Sequence, residues 1–105
     1  MAKTEIILGE IGGGDLSCVS TDFTSQSSVS INCNVGDIVV VSCSRSANSG
    51  MKWNGTATYS SSDCIAYKSY NSNTEWIYYF KASQGSNTYS IDSGTITGQY
   101  AVITN

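Results

Sequence analysis

An antiparallel β-sandwich of jelly-roll type, with eight or nine short strands and no substantial helix, is the fold this sequence predicts. Three observations lead there. Apolar and polar residues alternate with period two, and no segment keeps a helical period over three turns. Clusters of Gly, Asn, Asp and Ser interrupt the alternation roughly every 8–12 residues, the rhythm of a sandwich or barrel. Of the 105 residues, 40% are hydrophobic, and many of these are Ile, Val, Tyr and Trp, which suit a pleated, half-buried surface.

The elements follow in order. A first strand is predicted at Thr4–Glu10, ahead of a flexible break at Gly12-Gly13-Gly14-Asp15. This divides the chain into an N-terminal arm, residues 1–14, and a sandwich, residues 15–105. A short strand over Leu16–Ser20 leads into a polar loop at Thr21–Ser27. Val29, Ile31, Cys33 and Val35 alternate with Ser28, Ser30, Asn32 and Asn34, which predicts a strand over Ser28–Asn34. Val35-Gly36-Asp37 marks a turn, because Gly and Asp tolerate turn backbone angles. Asp37–Ser44 is apolar in both phases and is expected to lie centrally between layers. Ser46–Gly50 is a loop.

Asn54-Gly55 is a strong two-residue hairpin signal pairing Met51–Trp53 with Thr56–Tyr59; a bulge in one longer strand is the competing reading. Strands at Cys64–Tyr70 and Thr74–Ala82 flank Asn71-Ser72-Asn73. Gln84–Asn87 turns into a strand over Thr88–Asp92, and Ser93-Gly94 turns into the last one, Thr95–Thr104.

Composition excludes much chemistry. There is no histidine, so the usual nucleophile–base pair is missing, and no G-x-S-x-G elbow is present. Cys18, Cys33, Cys43 and Cys64 contain no C-x-x-C pair, which argues against zinc and for small apolar core residues. Cys43, Trp53 and Cys64 lie too close together for an immunoglobulin pattern. Asp37 and Asp92 sit in turn contexts, where they serve as backbone caps sooner than as a glycosidase pair. Gly12–Gly14 lacks the Lys-Ser/Thr of a phosphate loop. Neither enzyme activity nor a cofactor is expected. Five basic against eight acidic residues speak against nucleic acid, and no apolar run approaches a membrane span or signal-peptide core. Synthesis in the cytoplasm is the expectation.

Ser, Thr and Asn number 19, 10 and 8, and only 12% of residues are charged. With no proline and little lysine, sheet edges lack their common guards, so neighbouring subunits are expected to cover them. The aromatic residues supply the candidate contacts: Trp53 with Asn54, Tyr67, Tyr70 with Asn71, and Tyr79. Flat rings beside amides suit a sugar, and Tyr and Trp equally suit protein interfaces or ordinary strand packing.

Three stretches carry a resemblance. They are Met1–Gly9 running into the glycine-rich break, Val35-Gly36-Asp37-Ile38-Val39-Val40-Val41-Ser42, and Tyr89–Gly94 with Tyr100–Ile103. In these the chain resembles small Ser/Thr/Asn-rich β-sandwich proteins of tailed bacteriophages, including capsid decoration proteins and tail or fibre modules. The resemblance implies a non-enzymatic virion component. Its partners would be copies of itself, a trimer being favoured, and capsid or tail proteins. A carbohydrate- or receptor-binding module reading a cell-surface glycan is the alternative.

Overall fold

The computed structural model describes residues 3–11 and 14–104, with side chains from Ser20 onward. Among the described residues ten strands form: β1 (Lys3–Ile11), β2 (Gly14–Gln26), β3 (Ser28–Asn32), β4 (Ile38–Arg45), β5 (Met51–Trp53), β6 (Thr56–Ala57), β7 (Cys64–Tyr70), β8 (Glu75–Lys81), β9 (Ser86–Ile91) and β10 (Ile96–Ile103). The only helical element among the described residues is a single 3-10 turn at Thr58–Ser60.

All pairings are antiparallel and make two sheets, in the orders β1-β2-β10-β4-β8-β7 and β3-β9-β5-β6. The protein is an all-β sandwich. With β1 and β7 set aside as edge additions, β2-β10-β4-β8 faces β3-β9-β5-β6, and within that set only β5 to β6 stays in one sheet. This alternation between sheets is the jelly-roll plan.

The core lies where the inward phases meet. The larger sheet contributes Phe23, Val39, Val41, Cys43, Tyr78, Phe80 and Ile96; the smaller contributes Val29, Ile31, Met51, Trp53, Tyr89 and Ile91. In β3 and β9 burial alternates strictly over most of the strand, as a sheet with one wet face requires. Trp53 stacks on Phe80 across the sheets with ring centroids 4.1 Å apart and planes 4° from parallel. Its indole Nε1 donates to Asp63 Oδ2 at 2.9 Å, so the buried carboxylate has a partner. Buried Asn87 donates to Gln84 O at 3.0 Å and accepts from Asn54 Nδ2 at 2.9 Å. Among the described residues no buried side-chain nitrogen or oxygen lacks a hydrogen bond.

Several expectations are corrected. The Thr21–Ser27 loop is strand: β2 runs on to Gln26, and Ser20–Gln26 pairs with β10. Phe23 anchors this stretch in the core, and the ladder satisfies its backbone without an alternating apolar pattern. Only Ser25, at φ 48°, departs from strand geometry, beside a register shift that works as a bulge. β4 is central within its sheet, between β10 and β8, but not between layers; Val39, Val41 and Cys43 are covered while Ile38 and Val40 are half-buried on the outer face. Asn54 (φ 53°) and Gly55 (φ 81°) make the hairpin turn, which decides against the bulge reading. Thr58–Tyr59 leaves the strand for the 3-10 turn. The glycine-rich break falls partly outside the described residues, at Gly12 and Gly13, while Gly14 and Asp15 begin β2.

The cysteines fit their expected role to different degrees. Cys43 is buried, its Sγ 3.3 Å from the Tyr89 hydroxyl and 3.8 Å from Met51 Sδ. Cys33 and Cys64 are free and half-buried, and the Cys18 side chain is outside the described residues. Burial pushes the Cys43 thiol above its ordinary 9.0, raises the Tyr78 phenol from 10.0 to about 12, and raises Tyr89 further still. In the unfolded chain these groups ionise at their ordinary values, while the folded state holds them neutral. Their stabilising contribution is therefore complete at neutral pH and is lost as pH rises above about 9. Urea midpoints should stay level from about pH 6 to 8 and fall by pH 10. A decline beginning below pH 8 would contradict this assignment.

Candidate binding surface

β7 is the outer edge of the larger sheet, and it and β8 carry Tyr67, Tyr70 and Tyr79, while the most exposed aromatic, Tyr59, lies on the 3-10 turn. Tyr67 is 52% exposed, Tyr70 48% and Tyr79 38%. Ladder partners share a face, so register tells which way each points. Tyr67 is opposite Tyr78 and belongs to the inner face. It stacks on Tyr78 at 5.6 Å and lies tilted 6.3 Å from Trp76, continuing an aromatic row that passes through Phe80 to Trp53. Tyr70 opposite Glu75, and Tyr79 opposite Ala66, belong to the outer face. Between them Lys68 places its ammonium 5.4 Å from the Tyr70 ring centroid. A bulge at Cys64–Ala66 leaves Ile65 as the extra residue, which accounts for its exposure.

Two of the three remaining candidates, Trp53 and Asn54, serve the fold. Trp53 is 1% exposed, stacked in the core, and so is not a surface binding residue. Asn54 is spent on structure: its Oδ1 accepts from Thr88 N at 2.8 Å and its Nδ2 donates to Asn87, which ties the β5–β6 turn to β9. Asn54 beside Trp53 reads as a sugar site because it is a turn residue, and turns and sugar sites draw on the same residues.

Asn71 is exposed and begins a strained turn. Asn71, Ser72 and Asn73 all adopt left-handed backbone, with φ 47°, 54° and 67°. For residues with a Cβ each such position costs about 1–2 kcal/mol, least for Asn. The turn is held by Thr74 Oγ1 donating to Asn71 O (2.7 Å) and Trp76 Nε1 donating to Asn73 O (3.0 Å). The Asn71 amide also donates to the Glu75 carboxylate. Next to it, the Arg45 guanidinium lies 5.4 Å from the Trp76 ring centroid and donates to Asn48 Oδ1 and Ser49 O.

Sequence reading did not single out the groove beside this turn. It has a volume of about 580 Å³ and runs over the outer face of β4, β8 and β10. Ser42 and Ser44 form its floor; Tyr70 and Glu75 stand on one side, Thr97 and Gln99 on the other. Two serines in the outward phase of β4 are the only local sign of it. No protein-family model matches this chain, and neither does any curated protein or solved structure. Among the described residues no three His, Cys, Asp or Glu side chains converge as a metal site would require.

The acidic residues occupy structural posts. Asp37 Oδ2 accepts from Asn34 N at 2.9 Å inside its turn, while Asp92 pairs with Lys52 at 3.1 Å on the surface. The Asp37 contact is the backbone cap expected of a turn residue, whereas the Asp92 contact is an ion pair with a side chain of β5.

Proposed function

We propose that this protein is a non-enzymatic structural component of a bacteriophage particle. In this reading it binds and stabilises the particle through protein–protein contacts, as capsid decoration proteins do, and acts as a homo-oligomer, a trimer. The observation that carries the proposal is the β1–β2 arm. β1 pairs with β2 alone, and β2 pairs with β10 only over Ser20–Gln26. From Val19 back to Gly14, therefore, the two strands continue as a ribbon that no third strand pairs with among the described residues. The molecule is correspondingly long, 44 Å against 25 and 24 Å. Ile6, Ile7, Leu8, Ile11, Leu16 and Val19 all lie in that ribbon. A lone two-stranded ribbon is marginal in water, and an apolar one needs a surface to rest on. A neighbouring subunit supplies that surface.

The resemblance to phage decoration and tail proteins supplies the particle.

Sedimentation velocity tests the assembly step. The full chain should sediment as an oligomer at about 50 μM, and a chain lacking Ala2–Gly14 as a monomer with an unchanged near-ultraviolet spectrum. A monomeric full chain, or a deletion that assembles as well, would overturn the proposal. Antiserum should also label particles from the source culture.

A further inference from the structure

We propose that the groove on the outer face of the larger sheet binds a neutral saccharide, with Tyr70 as the stacking platform. The groove exists because two small side chains, Ser42 and Ser44, sit in the outward phase of a central strand between taller neighbours. At Gly98, in the inward phase, β10 also runs close to β4, where a Cβ would lie 2.0 Å from Ser42 O. The result is a trough in what would otherwise be a flat sheet face.

Its chemistry is that of a polyol site. Hydroxyls of Ser42, Ser44 and Thr97, the Gln99 amide and the Glu75 carboxylate surround it; Ser44 Oγ donates to Thr97 O, Thr97 Oγ1 accepts from Ser25 N and Gln99 Oε1 accepts from Ser20 Oγ, and a hydroxyl so engaged can still make a bond of the other sense. A saccharide hydroxyl needs that ambivalence. Tyr70, with half its surface exposed, offers an apolar ring for the C–H face of a sugar. The cation nearest the groove is Lys68, whose ammonium lies 5.4 Å from the Tyr70 ring centroid, while Glu75 on its wall brings negative charge to a chain of net charge −3. An acidic ligand would be repelled and would find no bidentate donor. Glu75 already accepts from Asn71, so it is placed as one acceptor among several and not as a lone counter-ion for an amine.

The mouth of the groove is also where the backbone is strained. The left-handed run Asn71–Asn73 directly follows Tyr70 and precedes Glu75, and its hydrogen bonds to Thr74 and Trp76 hold it rigid. Strain kept up by surrounding contacts is characteristic of sites that must be preorganised. Both walls on the β7–β8 side therefore hang from one fixed turn. β1 is at the opposite edge of the sheet from β7, which carries Tyr70.

The test is amide NMR of the full chain titrated with maltotriose, mannotriose and tri-N-acetylchitotriose, with 3′-sialyllactose and methylammonium as charged counterparts. At least one neutral trisaccharide should shift the amides of Ser42–Ser44, Glu75–Ile77 and Thr97–Gln99 with millimolar affinity. Tyr70→Ala should weaken that binding at least tenfold, Tyr70→Phe should largely keep it, and Tyr59→Ala, an exposed aromatic outside the groove, should not alter it. No response to any neutral sugar, a response only to sialyllactose or methylammonium, or equal binding by Tyr70→Ala would overturn the proposal. None of these readouts depends on the oligomeric state, so failure here is distinct from failure of the arm to assemble.

Discussion

Trp53→Ala should leave the domain largely unfolded at room temperature. The side chain is 1% exposed, joins the two sheets by stacking on Phe80, and donates the 2.9 Å hydrogen bond to Asp63. Emptying a site of this size costs about 3–5 kcal/mol from lost burial and the cavity left behind. A buried carboxylate deprived of a donor adds about 1–3 kcal/mol. The sum matches much of the 5–15 kcal/mol that stabilises a typical small domain. Two milder changes separate the terms. Trp53→Phe keeps a ring against Phe80 and removes the N–H, and should cost roughly half as much. Asp63→Asn keeps an acceptor for the indole and should cost least of the three. Urea unfolding read by near-ultraviolet circular dichroism measures all three. A loss below about 2 kcal/mol for Trp53→Ala would mean that the two sheets do not meet through this residue.

Gly98→Ala should be nearly as damaging, although it adds one methyl group. The new Cβ would lie 2.0 Å from Ser42 O and 2.7 Å from Cys43 Cα, and both are backbone atoms that no rotamer change can move aside. Relief requires β10 to draw away from β4, at the centre of the larger sheet. Overpacking of this kind costs about 1–3 kcal/mol, and each strained ladder hydrogen bond adds about 1 kcal/mol. We expect a loss of about 3–5 kcal/mol and faster amide exchange along β4 and β10. Gly55→Ala is the contrast. A Cβ there meets nothing within 4 Å, and only the left-handed backbone at φ 81° penalises it. That cost should be near 1 kcal/mol. If the two substitutions cost the same, the close approach of β10 to β4 is not as described.

How far the fold can be read from the chain depends on how local each decision is. The Val29–Ile31 alternation, the Asn54-Gly55 turn and the turn chemistry of Asp37 are decided by residues within a few positions, and each stands where it was expected. The second half of β2 was hidden because Thr21–Ser27 offers one apolar residue, Phe23, and its strand character comes from β10, more than seventy residues away. Trp53 and Tyr70 show the same limit at the level of the site. Both are aromatics next to an asparagine at a turn, yet one is in the core and the other at the rim of a groove. Nothing adjacent to either residue distinguishes them. The difference lies in the sheet to which the strand belongs and in what covers that face.

An all-β chain with these turns follows from the sequence alone, because side-chain alternation and positive-φ positions are properties of neighbouring residues. Alternation separates each strand into two faces but does not say which face is covered. That was settled only when β4, β8 and β10, distant in the chain, came together as the middle of one sheet. Their inward phases became core. Their outward phases left two serines at the bottom of a groove, between side chains supplied by strands as much as 57 residues away. Strand pairing is a long-range choice made by burial and hydrogen bonding across the whole molecule, and a surface assembled by such pairing has no local signature to read.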